Sequence, residues 1–110
     1  MSATTPEGRI KRKIRGVLDN YRNVSNIYTY MPVPGGFGAP SLDYLGCVNG
    51  MFFAIEAKRP GGKPTLRQLG TIQMLQSAGA AVFVISDDES LRVFERWLER
   101  ASATGGDQAA

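Results

Sequence analysis

Apolar residues recur along this chain in three stretches at helical spacing and in four short, denser runs. Ile10, Ile14, Val17, Leu18 and Tyr21 form one stripe at intervals of three and four, which predicts a helix from Glu7 to Arg22. Thr5 or Thr4 suits its N-cap and Pro6 its first turn. Val24 to Met31 is β-branched and aromatic and predicts a strand. Three prolines and three glycines between Pro32 and Pro40 exclude regular structure there. Leu42–Val48 and Met51–Lys58 flank Asn49-Gly50, a pair that tolerates positive φ and predicts a tight hairpin. Leu66, Leu69, Ile72 and Leu75 mark a second helix from Thr65 to about Ala78, closed by Gly79. Ala80–Ser86 is almost fully apolar and predicts a strand covered on both faces. A third helix, capped by Ser86 or Asp87, carries Leu91, Phe94, Trp97, Leu98 and Ala101 on its stripe.

The resulting order, α-β-β-β-α-β-α, predicts an α/β fold with a mixed sheet flanked by helices. The step from the Met51 strand through the Thr65 helix to the Ala81 strand reads as a right-handed βαβ crossover. Residues 6–101 read as one domain, with 1–5 a flexible N-terminus and 102–110 a disordered tail.

Composition narrows the chemistry. The 110 residues contain no histidine, which excludes a Ser-His-Asp or Cys-His nucleophile and nearly all catalytic zinc sites. Cys47 is the single cysteine, so internal disulfides and thiolate clusters are excluded; it reads as a small buried apolar residue. Any catalysis must come from carboxylates, lysine, hydroxyls or a hard cation on oxygen ligands. No apolar run approaches the roughly 18 residues of a membrane span and no secretory leader is visible, so a soluble protein of the reducing cytoplasm is predicted. The net charge of +3 is uneven: residues 1–80 hold ten basic and four acidic residues, residues 81–110 three and six. A basic part beside an acidic last helix suggests an anionic partner such as nucleic acid, with that helix turned away from it; ordinary surface charge is the blander explanation.

Register arithmetic brings the candidate chemistry together. A two-residue turn at Asn49-Gly50 sets 48 against 51 and 43 against 56, so Asp43 stands opposite Glu56, with Lys58 on the same face. Facing carboxylates repel unless positive charge lies between them. Lys58 helps, and a divalent cation fits better because Mg²⁺ takes one or two carboxylates plus waters and phosphate oxygens. Glu7, on the apolar stripe of the first helix, and Gln68, on the inward face of the second, are placed to join this group. Alternatives stand beside each assignment. Asp43, Glu56 and Lys58 can be surface charges on a half-solvated sheet, although Met51–Ile55 is apolar on both faces. Gln68 completes a Thr65-x-x-Gln68 capping box, and Glu7 can serve the helix dipole.

The same residues resemble a known family. Asp43 followed by Glu56-Ala57-Lys58 has the D…ExK pattern of the PD-(D/E)XK nuclease superfamily. With Glu7 ahead, a Gly/Pro-rich loop before Asp43 and Gln68 in the next helix, residues 6–100 are similar to the virus-type replication-repair nuclease (VRR-NUC) domain. The likeness is to its stand-alone phage and bacterial forms. The resemblance implies the restriction-endonuclease-like fold, Mg²⁺ or Mn²⁺ as cofactor, and hydrolysis of phosphodiester bonds. It implies Asp43, Glu56 and the backbone carbonyl of Ala57 as metal ligands and Glu7 on metal-bound water. Lys58 would orient the attacking water or stabilise charge on the scissile phosphate, and Gln68 would support the site. A homodimer acting on branched DNA, of the Holliday-junction or flap type, in DNA repair is implied too. One departure is that Leu42, not proline, precedes Asp43, which predicts a shifted loop. Arg9, Lys11, Arg12, Lys13, Arg15, Arg59, Lys63 and Arg67 are candidates for phosphate contacts. Nothing suggests base readout, so structure-selective cutting is predicted. The alternatives are a non-catalytic nucleic-acid-binding module that keeps the fold, and a phage accessory interaction protein with fortuitous carboxylates.

Overall fold

The computed structural model describes residues 5–23, 25–33 and 40–105. Helix α1 (Pro6–Tyr21) starts where Thr5 Oγ1 accepts from the Gly8 N–H at 2.9 Å, and it buries Ile10, Ile14, Val17 and Leu18. Strand β1 (Ile27–Tyr30) is shorter than the sequence predicts; Val24 lies outside the described residues. Strands β2 (Tyr44–Val48) and β3 (Met51–Ala57) form the predicted hairpin, with positive φ at Asn49 and Gly50. The Asn49 amide also donates to the carbonyls of Ala101 and Ser102, which ties the turn to the last helix. Helix α2 (Leu66–Ser77), strand β4 (Ala81–Ile85) and helix α3 (Asp88–Gly105) complete the predicted order. Asp87 caps α3, its carboxylate accepting from the Ser90 N–H at 2.8 Å. The helix continues through Gly105, where the sequence reads as tail; residues 106–110 lie outside the described residues, as do 34–39 of the Pro/Gly loop.

The four strands lie in the order β1-β2-β3-β4. The first three are antiparallel, and β3 pairs with β4 in parallel through the α2 crossover, so the sheet is mixed as predicted. Helices α1 and α3 cover one face, where Tyr44, Val48, Phe53, Ile55, Ala57 and Ile85 meet Ile14, Leu18, Phe94 and Leu98. Helix α2 covers part of the other face, over Leu42, Ala54, Val82 and Val84. Strand β4 is thus covered on both faces, yet it sits at the sheet edge, and only Ile85 of its five residues is fully buried.

One close approach shapes the core. Gly46 lies under the Phe53 ring, where an added Cβ would fall 2.3 Å from Phe53 Cζ. With no side chain at Gly46, the Phe53 ring occupies the space over β2 and packs against Phe94 and Trp97, with ring centroids 5.4 and 5.7 Å away. Aromatic contacts of this kind add about 0.5–1.5 kcal/mol each beyond area burial. On the opposite face, α2 leaves Tyr28, Tyr30 and Phe52 exposed.

Candidate functional site

The site forms where β2 ends and β3 continues. The last β2–β3 pair is Tyr44 with Ile55, so the register predicted from the turn holds and Asp43 falls opposite Glu56. Beyond Tyr44 the side chain of Asp43 replaces the backbone as partner: its Oδ2 accepts from the Ala57 N–H at 2.8 Å. Ala57 is completely buried, so this bond satisfies a donor that water cannot reach. The Lys58 N–H donates to Ile85 on β4, so strand alternation turns the Ala57 carbonyl, like its N–H, toward the Asp43 side.

Glu56 is the buried acid at the centre, 4% exposed. Its Oε2 accepts from Gln68 Nε2 at 2.7 Å and lies 3.7 Å from Lys58 Nζ. Burial pushes its pKa from 4.5 up to about 7, and the negative charges of Asp43 and Glu7 push the same way. Lys58 and the Asp43 backbone N–H oppose the rise without cancelling it. Two carboxylates facing each other at the end of an interior strand thus raise the cost of ionising Glu56 more than the Lys58 ammonium lowers it.

Gln68 fills both roles that the sequence offered. Its Oε1 accepts from the Thr65 N–H at 2.9 Å while Thr65 Oγ1 accepts from the Gln68 N–H, a complete capping box. The Thr65 donor fixes which end of the amide is oxygen, and so aims the NH₂ at Glu56.

Glu7 requires a correction. The sequence places it on the inward stripe as a buried acid in need of a metal. The structure leaves its side chain 43% exposed, with Lys11 Nζ 3.5 Å from Oε2. The α1 stripe goes under cover only from Ile10 onward, so the first turn stands at the mouth of the site. Cys47 is likewise half-buried, not fully buried, because α2 does not extend over its part of β2.

The basic candidates separate. Lys11 reaches the acids, 3.9 Å from Asp43 Oδ1. Lys13 is ion-paired with Asp88 of α3 at 2.7 Å, so the acidic helix adjoins the basic one on the same side of the sheet. Arg15 approaches Met31 Sδ at 4.0 Å. Arg9, Arg12, Arg59 and Arg67 are exposed, as is Lys63. Sequence reasoning missed the link from Lys11 to Asp43; its only trace was the Glu7–Lys11 spacing of four on one helix face.

Among the described residues no three acidic, histidine or cysteine side chains converge on one metal position. The oxygen donors on offer are the two facing carboxylates and the Ala57 carbonyl, which turns to the Asp43 side. This all-oxygen set suits a hard cation that keeps several waters, as Mg²⁺ does. No described helix is long and apolar enough to cross a membrane. Compared with known proteins, the chain matches no family model, no curated protein and no solved structure.

Proposed function

We propose that this chain is a divalent-metal-dependent, structure-selective DNA endonuclease of the VRR-NUC type within the PD-(D/E)XK superfamily, hydrolysing phosphodiester bonds in branched DNA. The observation that carries the reading is the opposition of Asp43 and buried Glu56 at the end of β3, with Lys58 on the same face and the Gln68 amide on Glu56. A chain without histidine needs another route to hydrolysis, and this group supplies one.

Asp43, Glu56 and the Ala57 carbonyl would hold Mg²⁺ or Mn²⁺. Such an ion lowers the pKa of bound water and stabilises charge on the phosphate. Glu56 is primed for it: burial beside Asp43 disfavours its anion, and added positive charge restores that anion. Gln68 holds the Glu56 carboxylate in one orientation. Glu7, half-exposed at the mouth, would accept from water on that ion. The Lys58 ammonium, half-buried on the same face, donates to the phosphate oxygen on which charge develops. Arg59, Lys63 and Arg67 extend the positive charge away from Lys58 and provide backbone contacts that carry no base information.

The working unit in this reading is a homodimer in the cytoplasm of a bacterium or phage-infected host, serving DNA repair. Support for self-association comes from the uncovered sheet face, where Tyr28 is 68% exposed beside Tyr30 and Phe52 with no charged residue in β1. Such a face can meet its own copy without like-charge repulsion.

The test is cleavage of labelled four-way junction, flap and linear duplex with Mn²⁺. Products from the wild type and none from Lys58→Ala support the proposal. Binding to these DNAs with no product under any metal would make the chain a non-catalytic binding module.

A further inference from the structure

Lys11 occupies a position that a phosphate-binding helix residue has no need of. Its ammonium lies 3.5 Å from Glu7 Oε2 and 3.9 Å from Asp43 Oδ1, between an acid of α1 and an acid of β2. The pair with Glu7 is an ordinary contact one turn apart. The approach to Asp43 is tertiary, and it is supported from below. Buried Tyr44, next to Asp43 in the chain, donates from its hydroxyl to the Lys11 carbonyl at 3.5 Å, which holds that turn of α1 against β2.

The choice of oxygen is informative. Asp43 Oδ2 is committed to the Ala57 N–H at 2.8 Å. Oδ1 is the oxygen left for a cation shared with Glu56, and it is the one that Lys11 approaches. Two positive charges at contact distance from one carboxylate oxygen repel. The lysine stem is long and flexible, and its side chain is 34% exposed, so it has room to leave.

We propose that Lys11 is a resident counter-ion of the acidic site, which a divalent cation must displace from Asp43 in order to bind. The inference rests on the metal-site reading above. In the metal-free protein the Lys11 ammonium lies between the Asp43 and Glu7 carboxylates and offsets part of their charge. When a divalent cation takes Asp43 Oδ1, the ammonium moves outward to Glu7 and solvent. Lys11 is then a positioning residue whose charge competes with the metal, whereas Lys58 serves the substrate phosphate.

Two measurements test this, both independent of cleavage. The first is Mn²⁺ titration by calorimetry of wild type, Lys11→Gln and Lys13→Gln. Lys13 removes the same charge from the same helix but is paired with Asp88, away from the acids. Lys11→Gln is expected to bind Mn²⁺ roughly three- to tenfold more tightly than wild type, as removal of a competing adjacent charge implies, with Lys13→Gln near wild type. The second is acylation of wild-type lysines followed by mass spectrometry. Mn²⁺ should speed labelling of Lys11 relative to Lys13. Wild-type binding with equal or weaker binding by Lys11→Gln, or with Lys11 labelling unchanged, overturns the role of Lys11 and leaves the metal site standing. No Mn²⁺ binding by any of the three proteins overturns both.

Discussion

The side-chain amide of Gln68 bridges two structures at once: its oxygen accepts from the Thr65 N–H at 2.9 Å and its nitrogen donates to Glu56 Oε2 at 2.7 Å. The start of α2 and the buried acid of β3 are therefore held by one residue, and substitutions can separate the two functions. Gln68→Glu keeps the capping box, which accepts glutamate equally well, but sets a second carboxylate against Glu56. It should melt below wild type at about pH 8, approach wild type at about pH 5, and lose cleavage. Gln68→Ala loses both contacts and should cost about 1 kcal/mol at either pH. Thermal melts at the two pH values distinguish these outcomes.

Glu56 gives the fold a defined pH dependence. Its pKa stands at about 7 in the folded chain against 4.5 for the free side chain. The folded state therefore holds the proton more tightly than the unfolded one between those values. The contribution is fully present below 4.5 and is lost as pH rises through about 7, the reverse of a carboxylate stabilised as its anion. A shift of this size corresponds to on the order of 3 kcal/mol. Glu56→Gln should remove that loss, so the difference in melting temperature between variant and wild type should grow from about pH 5 to about pH 8.

Asp43 has a structural and an electrostatic role that conservative substitution can divide. Asp43→Ala leaves the buried Ala57 N–H without its acceptor, and should cost about 1–3 kcal/mol in urea unfolding. Asp43→Asn retains an acceptor oxygen while removing the charge that raises Glu56. Its stability should stay near wild type, and NMR titration should show the Glu56 pKa moving down. Both variants should lose cleavage and Mn²⁺ binding.

The hairpin depends on an absent side chain. A methyl group at position 46 would overlap the Phe53 ring, which is fully buried and packed against Phe94 and Trp97. Gly46→Ala should destabilise the chain by about 1–3 kcal/mol, the range for overpacked cores. Near-ultraviolet circular dichroism should report the disturbed aromatic cluster directly.

The local parts of this molecule were legible in the sequence because short-range physics fixes them. The spacing of Ile10, Ile14, Val17 and Leu18 admits one buried helix face, and positive φ at Asn49-Gly50 permits one register. That register alone placed Asp43 opposite Glu56. The capping box of Thr65 and Gln68 spans three residues and was equally plain. What the sequence could not decide depended on distances between elements. Periodicity carried Glu7 inward with its stripe, but the depth at which α1 enters the core leaves its first turn half in solvent, paired with Lys11. The apolar run of β4 implied cover on both faces, which the helices supply, but not that the strand would lie at the edge of the sheet. The basic face of α1 looked uniform, yet packing sends Lys13 to Asp88 and Lys11 to Asp43. Charge pairing across elements is decided by where helices dock on the sheet, and docking sums many weak contacts that no local pattern encodes.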